Sequence, residues 1–424
     1  MKSIINKLLK NNSNLVQKFN SFIDNQKNFE VRKLFESVLE YSENSEIRFV
    51  GGCLRKIVTK EIIDDIDLAT NLNPEEVIKC LKKNKIAFLE TGKDHGTITA
   101  IINKQKFEIT SLRKDLFTDG RHAKVQFSDN WLEDASRRDF TINCIYSDID
   151  GNLYDPFNGK TDLVNGKIVF IGEAEKRIKE DYLRILRYIR FFINYSKIDH
   201  EPKVKRIIKQ NINGVINLSK ERLINELKKI VLSKGFLKLT KDEFCLEIIL
   251  LIFPQLKNIK IFSSLNSYAL ENYFSKDFIF LLSLMIIDET DNVDYFIYKF
   301  NLSNQEKKRI IFLKNMFSKK TIDNTFSEKN LLKILYYYGR INLEDMINFQ
   351  IYKSKKIDSK IIKLKDIFNK KNTPVFPVKA NQLIEKYKLE ENKILGQKLK
   401  EIEEIWVNNS FKISEDEIEK IVKN

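Results

Sequence analysis

Nine of the chain's thirteen glycines lie between Gly51 and Gly172; only Gly214, Gly235, Gly339 and Gly396 follow. Glycine supplies positive φ and close backbone approach. It gathers where strands turn back on one another and is costly inside helices. The distribution predicts an α+β chain, with strands and hairpins in the first part and helices beyond. At 424 residues the chain is too long for one core, so two to four domains are expected. The 42% hydrophobic content supplies those cores, and the 31% charged fraction carries both signs, which argues against wholesale disorder.

Composition excludes several classes. Cys53, Cys80, Cys144 and Cys245 are too few and too scattered for a disulfide framework, and no pair has the C-x-x-C spacing of a common zinc site. With only His95, His122 and His200, a His-rich metal enzyme or an HD-type phosphohydrolase domain is not expected. No apolar run approaches the ~18 residues that span a bilayer. Residues 1–26 are basic and amphipathic but lack the apolar stretch and cleavage site of a signal peptide. A soluble, cytoplasmic protein of a reducing compartment is expected. The formal charge of +15 fits a polyanionic partner such as nucleic acid. A lysine-rich genome would produce the same charge by drift, and composition does not separate the two.

Periodicity places the elements. A helix is predicted over residues 31–41, and a short apolar strand over Ile47–Val50 ending in Gly51-Gly52. Residues 62–69 alternate as a second strand. Asn73-Pro74-Glu75-Glu76 reads as a helix start with a capping box, the helix running to about Asn84. Further strands are predicted over 86–91, 97–102 and 106–112, the last two joined through Asn103-Lys104-Gln105. Residues 113–130 read as a mobile polar loop, and Asp150-Gly151 and Asn165-Gly166 as turns. From Glu173 onward apolar residues recur at helical spacing, with a break at 372–377, where Pro374 and Pro377 sit close together.

Five short segments carry chemistry. Asp65-Ile66-Asp67 on a strand puts two carboxylates on one face, a hard oxygen pair suited to Mg²⁺ and, through it, phosphate; incidental acids on a strand edge would look the same. In Phe49-Val50-Gly51-Gly52-Cys53-Leu54-Arg55, the glycines permit backbone N–H groups to approach phosphate and Arg55 adds a cation. Glu108 in Phe107-Glu108-Ile109-Thr110 could bring a third carboxylate or be a surface residue. Arg137-Arg138-Asp139-Phe140-Thr141-Ile142-Asn143 offers two guanidiniums for a triphosphate, and Asp139 and Asn143 for a ribose; the bland alternative is a charged helix start capped by Asp139. In Glu180-Asp181-Tyr182-Leu183-Arg184-Ile185-Leu186-Arg187, Asp181 and Arg184 at i, i+3 share a helix face. They form either an ordinary ion pair or a donor–acceptor edge for a nucleobase.

The ordered set GGxxR, DxDL, ExT, RRDFTIN and EDxxRxxR resembles the class II tRNA nucleotidyltransferases and their bacterial poly(A) polymerase relatives, continuously over residues 47–230. Ser219-Lys220-Glu221-Arg222-Leu223 with Glu226-Leu227 resembles the family's late neck motif. Phe376-Pro377, Gly396-Gln397-Lys398-Leu399 and Trp406 resemble the tail of bacterial members. The resemblance implies a small mixed β-sheet head (47–172, catalytic) after an N-terminal helical extension (1–46). All-α neck (173–235, nucleobase selection and RNA binding), body (236–371) and tail (372–424, tRNA binding) would follow. It implies Mg²⁺-dependent, template-independent transfer of CMP and AMP from CTP and ATP to the tRNA 3′ end, with release of pyrophosphate. The implied metal pair is Asp65 and Asp67, with Glu108 as a further catalytic carboxylate. Gly51, Gly52, Arg55, Arg137, Arg138, Asp139 and Asn143 would bind nucleotide, and Asp181, Arg184 and Arg187 would face the base.

Two departures stand out. Lys56 replaces the aspartate that usually follows the GGxxR arginine, which leaves Arg55 without its expected anchor, and Cys144 replaces a small alanine. Within the family, His95-Gly96-Thr97 and the retained loop around Asp119-Gly120-Arg121-His122 resemble the CCA-adding side. Addition of A alone and poly(A) synthesis remain as alternatives. Outside it stand a non-catalytic RNA-binding protein, against which the intact Asp65 and Asp67 argue, and a small-molecule nucleotidyltransferase, against which the long basic helical half argues.

Overall fold

The computed structural model describes residues 29–59, 61, 63, 66–117, 124–318 and 326–423. Residues 1–28, Asp65 and the loop residues Asp119, Gly120, Arg121 and His122 lie outside the described residues. The chain forms two compact units, Met1–Ile252 and Phe253–Asn424.

The first unit carries a seven-stranded mixed sheet in the order β3-β4-β5-β2-β1-β8-β9, and helices follow it in sequence. The strands are β1 (Ile47–Val50), β2 (Asp67–Thr70), β3 (Ala87–Gly92), β4 (Thr97–Ile102), β5 (Gln105–Ser111), β8 (Tyr146–Ser147) and β9 (Leu153–Tyr154). Pairing is antiparallel except between β2 and β5, which run parallel. Helix α1 (Phe29–Leu39) buries Val31, Leu34, Phe35 and Val38, and Phe35 packs on Phe49 of β1 with ring centroids 4.9 Å apart. Helix α2 (Gly52–Thr59) leaves β1 directly through Gly51, whose φ of +72° favours glycine. The turn between β4 and β5 places Asn103 and Lys104 at positive φ, with Ile102 registered on Gln105. It is the two-residue hairpin geometry that matches strand twist.

Helix α3 (Pro74–Lys83) has the expected start: Asn73 accepts from the Glu76 N–H at 3.0 Å, and Glu76 accepts from the Asn73 N–H at 2.9 Å. Residues 113–130 depart from expectation. They contain a two-stranded hairpin, β6 (Arg113–Phe117) with β7 (Lys124–Phe127), rather than one loop. Lys124-Val125-Gln126-Phe127 alternates polar and apolar, but over only four residues and amid charged neighbours.

Helix α4 (Trp131–Arg137) lies between β7 and β8, and after β9 come α5 (Gly159–Asn165), α6 (Ala174–Glu180), α7 (Leu183–Tyr195), α8 (Pro202–Asn211), α9 (Lys220–Val231), α10 (Phe236–Leu239) and α11 (Glu243–Ile252). Cys144 sits in the head core with Val50, Ala69, Trp131, Ala135 and Tyr146, so the core accepts its sulfur. The second unit is helical. Phe278–Ile286 is buried on every side, as an all-apolar helix must be. The helix Glu328–Lys353 breaks at Gly339. Beyond the proline-bearing break, Leu383, Leu395, Ile402, Ile418, Ile421 and Val422 form an apolar cluster of their own.

The Asn73 cap yields a direct expectation. Asn73→Ala removes the side-chain acceptor of the Glu76 N–H and should cost about 1 kcal/mol, whereas Asn73→Ser should retain most of it. Urea unfolding followed by far-ultraviolet circular dichroism of the three proteins checks this; equal losses in both variants would contradict it.

Candidate active site

Asp67 opens β2 where β1 and β5 flank it: its backbone registers with Val50 on one side and Glu108 on the other. Registered residues of a parallel pair project to the same face, so Asp67 and Glu108 stand side by side. Phe107 and Ile109 are buried on the opposite face of β5. The Asp67 carboxylate lies against Gly51-Gly52, its Oδ2 3.5 Å from where a Gly51 Cβ would sit and 3.8 Å from that of Gly52. The helix that starts at Gly52 therefore begins beside this carboxylate. Hard carboxylate oxygens grouped on one face fit a hard divalent cation.

Arg55 projects from α2. One terminal nitrogen donates to the Asn143 Oδ1, and the guanidinium lies 4.9 Å from the Phe191 ring centre and 6.0 Å from that of Tyr195. The anchor expected from an acid at position 56 is thus supplied from elsewhere, by an amide and two aromatic faces.

Asn143 donates from Nδ2 to the Asp139 Oδ1 at 2.6 Å, and Arg187 Nε donates to the Asp139 Oδ2 at 2.5 Å. Burial pushes the Asp139 carboxyl up, but the Arg187 charge and the two hydrogen bonds prevail and hold it well below the usual carboxylate range. Asp139 does not cap a helix start; it follows the C-terminus of α4.

Arg137 and Arg138 end that helix and fork onto one carboxylate, Asp134, which sequence reasoning did not single out. Arg137 reaches its Oδ1 through Nε (2.9 Å) and Nη2 (2.6 Å), and Arg138 its Oδ2 through Nε (3.1 Å) and Nη2 (3.0 Å). The Tyr146 hydroxyl donates to the same Oδ2 at 2.7 Å. Asp134 at i−3 and i−4 of the two arginines was the available signal. Burial raises the Asp134 pKa, yet the guanidiniums and the hydroxyl outweigh it and bring it down to about 2.

The neck residues differ from expectation. Asp181 and Arg184 do not share a helix: α6 ends at Glu180, Asp181 is extended at φ −153°, and α7 begins at Leu183. Nor do their side chains pair. The Asp181 Oδ2 accepts from Arg222 Nη2 at 2.8 Å, and Arg184 Nη1 donates to the Glu180 Oε2 and the Arg177 carbonyl, each at 2.6 Å. Arg177 in turn donates to the carbonyls of Arg137 (2.5 Å) and Arg138, seating α6 on the Arg137-Arg138-Asp139 segment. Arg190 of α7 donates to the buried Glu226 of α9 at 2.5 Å. The pairing of Asp181 with Arg222 is one that only the folded chain reveals, whereas Glu180 stood at helical spacing from both Arg177 and Arg184.

Carboxylates on a mixed sheet beside a Gly-Gly helix start, with an arginine-rich helical neck, define a nucleotidyltransferase head. Residues 47–169 match the Poly A polymerase head domain family. The human mitochondrial CCA tRNA nucleotidyltransferase 1 is 32% identical over 388 residues, 90% of this chain and 87% of its own length. The CCA-adding enzyme of Staphylococcus haemolyticus is 31% identical over 312 residues, 71% of this chain and 72% of its own. The chain belongs to the CCA-adding tRNA nucleotidyltransferase family. Its fold is that of the Bacillus stearothermophilus CCA-adding enzyme solved with CTP (TM-score 0.72, 19% identity, 92% of this chain and 95% of that one). Members of this family use a divalent metal.

The Asp134 clamp predicts an acid limb. A carboxyl depressed from 3.8 to about 2 contributes about 2 kcal/mol above its ordinary pKa, and that contribution is lost as pH falls through the folded value. Asp134→Asn should be less stable than the parent at neutral pH, and the gap should narrow by about 2 kcal/mol between about pH 4 and about pH 2. Unfolding midpoints across that range test it; a gap independent of pH would refute the pairing.

Proposed function

We propose that this chain restores CCA to the 3′ end of tRNA, taking CMP from CTP and AMP from ATP and releasing pyrophosphate without a nucleic acid template. The observation that carries this reading is the register of Asp67 with Glu108 beside Gly51-Gly52, in a chain similar to a full-length CCA-adding relative over 90% of its length. The Thermotoga maritima CCA-adding enzyme of the same fold is complexed with tRNA_CCA (TM-score 0.60, 20% identity). That likeness supports tRNA as the acceptor.

Asp65 and Asp67 would hold Mg²⁺, with Glu108 as the adjoining carboxylate. The ion, when bound, lowers the pKa of the attacking ribose 3′-hydroxyl and neutralises charge on the α-phosphate. The Gly51-Gly52 turn brings backbone N–H groups to the phosphates, and Arg55, steadied by Asn143, adds positive charge there. Arg137 and Arg138, aimed by Asp134, bind the triphosphate, while Asp139 and Asn143 receive the ribose. Asp181 and Arg184 select C and A, which both present an exocyclic amine beside a ring acceptor; U and G offer a carbonyl that would face the Asp181 carboxylate. Arg187 supports this edge from the next turn of α7. In this reading residues 1–46 are an extension, 47–172 the catalytic head, 173–235 the base-selecting neck, 236–371 the body and 372–424 a tRNA-binding tail. No described helix is long and apolar enough to cross a membrane, and the cysteines are free; we place the protein in the cytoplasm. The head-domain match also favours a second reading, AMP addition alone, as a poly(A) polymerase or an A-only tRNA enzyme.

Incubation of purified protein and Mg²⁺ with CTP, ATP and tRNAs lacking CCA, CA or A, followed by end sequencing, separates these readings. Restored CCA followed by arrest is expected; long A tails, or transfer to the A-lacking tRNA only, would overturn it. Asp65→Ala and Asp67→Ala should each lower the rate by about 10³-fold or more while tRNA binding persists. Asp181→Ala should relax base choice more than it weakens tRNA binding; an unchanged CTP and ATP preference would remove Asp181 from that role. If the +15 charge serves tRNA, log Kd should change with log salt by about 0.7–0.9 for each phosphate contact. A flat dependence would assign the lysines to compositional drift.

A further inference from the structure

His200, Asp242 and Cys245 are 42 and 3 residues apart in sequence, a spacing that announces nothing, yet the fold gathers their ligand atoms within 4.8 Å of one another. The His200 Nε2 lies 3.1 and 3.2 Å from the two Asp242 carboxylate oxygens and 3.6 Å from the Cys245 Sγ. Ligands about 2.0–2.3 Å from a tetrahedral zinc stand about 3.3–3.6 Å apart, close to the spacing found here. The other ring nitrogen, Nδ1, is engaged at 2.9 Å by the Tyr188 hydroxyl. That outer partner fixes the ring so that Nε2 faces the carboxylate and the thiol. Phe192 stacks on the imidazole and Phe244 meets its edge. Cys245 is fully buried, while the Asp242 side chain keeps 27% of its exposure and so leaves an entry path.

We propose that His200, Asp242 and Cys245 form a binding site for a zinc-class divalent cation, distinct from the carboxylate site on the sheet. One imidazole, one thiolate and one carboxylate suit a borderline-soft ion rather than Mg²⁺, and three protein ligands leave a fourth position for water. The site joins the segment between α7 and α8 to the first turn of α11. It would therefore staple the far end of the helix that carries Arg184 and Arg187. Binding displaces the Cys245 thiol proton into solvent.

The test is a cobalt titration of the full chain in excess Mg²⁺, which occupies hard oxygen sites. The expected result is a thiolate-to-cobalt charge-transfer band with tetrahedral d–d bands, saturating at one equivalent and displaced by Zn²⁺. Cys245→Ser should lose the charge-transfer band and Cys80→Ser should keep it. Tyr188→Phe should weaken cobalt affinity by about 10–100-fold, as loss of an outer-sphere partner does. Absence of the band in the parent protein, or its survival in Cys245→Ser, overturns the site. Should Cys245→Ser fail to fold, the Tyr188→Phe titration decides, and an unchanged affinity there also overturns it.

Discussion

A buried carboxylate helps to tie the head to the helices that follow it. Asp139 is 6% exposed, a position an ionised group tolerates only with its charge matched and its lone pairs filled. Arg187 supplies the charge from α7, Asn143 a hydrogen bond from the adjoining 3-10 turn, and the Phe140 N–H another. Asn143 carries the line onward: its Oδ1 accepts from Arg55, whose helix begins at the glycine pair facing Asp67. A line of polar contacts thus runs from the sheet edge to the neck. None of its members can be neutralised without leaving another buried group unmatched. Phe191 and Tyr195 flank the same line with aromatic faces, lowering the local dielectric and making each contact stronger than it would be in water.

The carboxylates on the sheet are held by a different constraint, the register of β2 against β5. A strand has period two, so a slip of one residue would turn Phe107 and Ile109 to the face that Glu108 now occupies. Burial of those two side chains and of Leu68 therefore fixes where Asp67 and Glu108 meet. The apolar core, not the acids, sets this geometry, because carboxylates alone would repel.

Much of the head was legible for this reason. The β1 strand, the Asn73 capping box and the β4–β5 hairpin follow from local rules that tertiary packing did not override. What escaped were features whose signal lies elsewhere in the chain. The β6–β7 ribbon offers only one short alternating run, Lys124 to Phe127, amid charged residues. The break between Glu180 and Leu183 carries neither proline nor glycine, so a continuous helix was the natural reading of Asp181 and Arg184. Asp134 stood in view at helical spacing, but its role depends on the burial of Tyr146 against it. His200 and Cys245 show the limit most plainly, since only the folded chain sets His200, after the end of α7, against the start of α11.

The broken helix also bears on how Asp181 and Arg184 could serve base selection. Had they paired with each other, reading a base would require breaking their bond and exposing both groups at once. Instead Asp181 rests on Arg222, and Arg184 rests on Glu180. Asp181 and Arg222 retain 23% and 28% side-chain exposure, so their ion pair is a shallow well of about 1 kcal/mol or less. An exocyclic amine can enter beside such a carboxylate while Arg222 remains near it. Arg184 is more deeply set, gripped by two acceptors and 11% exposed at its side chain, and its orientation is thereby fixed before any base arrives. In the proposed reading, then, one of the two groups that face the base is rigid and one yields. That division suits a single pocket that must accept a pyrimidine and a purine through the same edge.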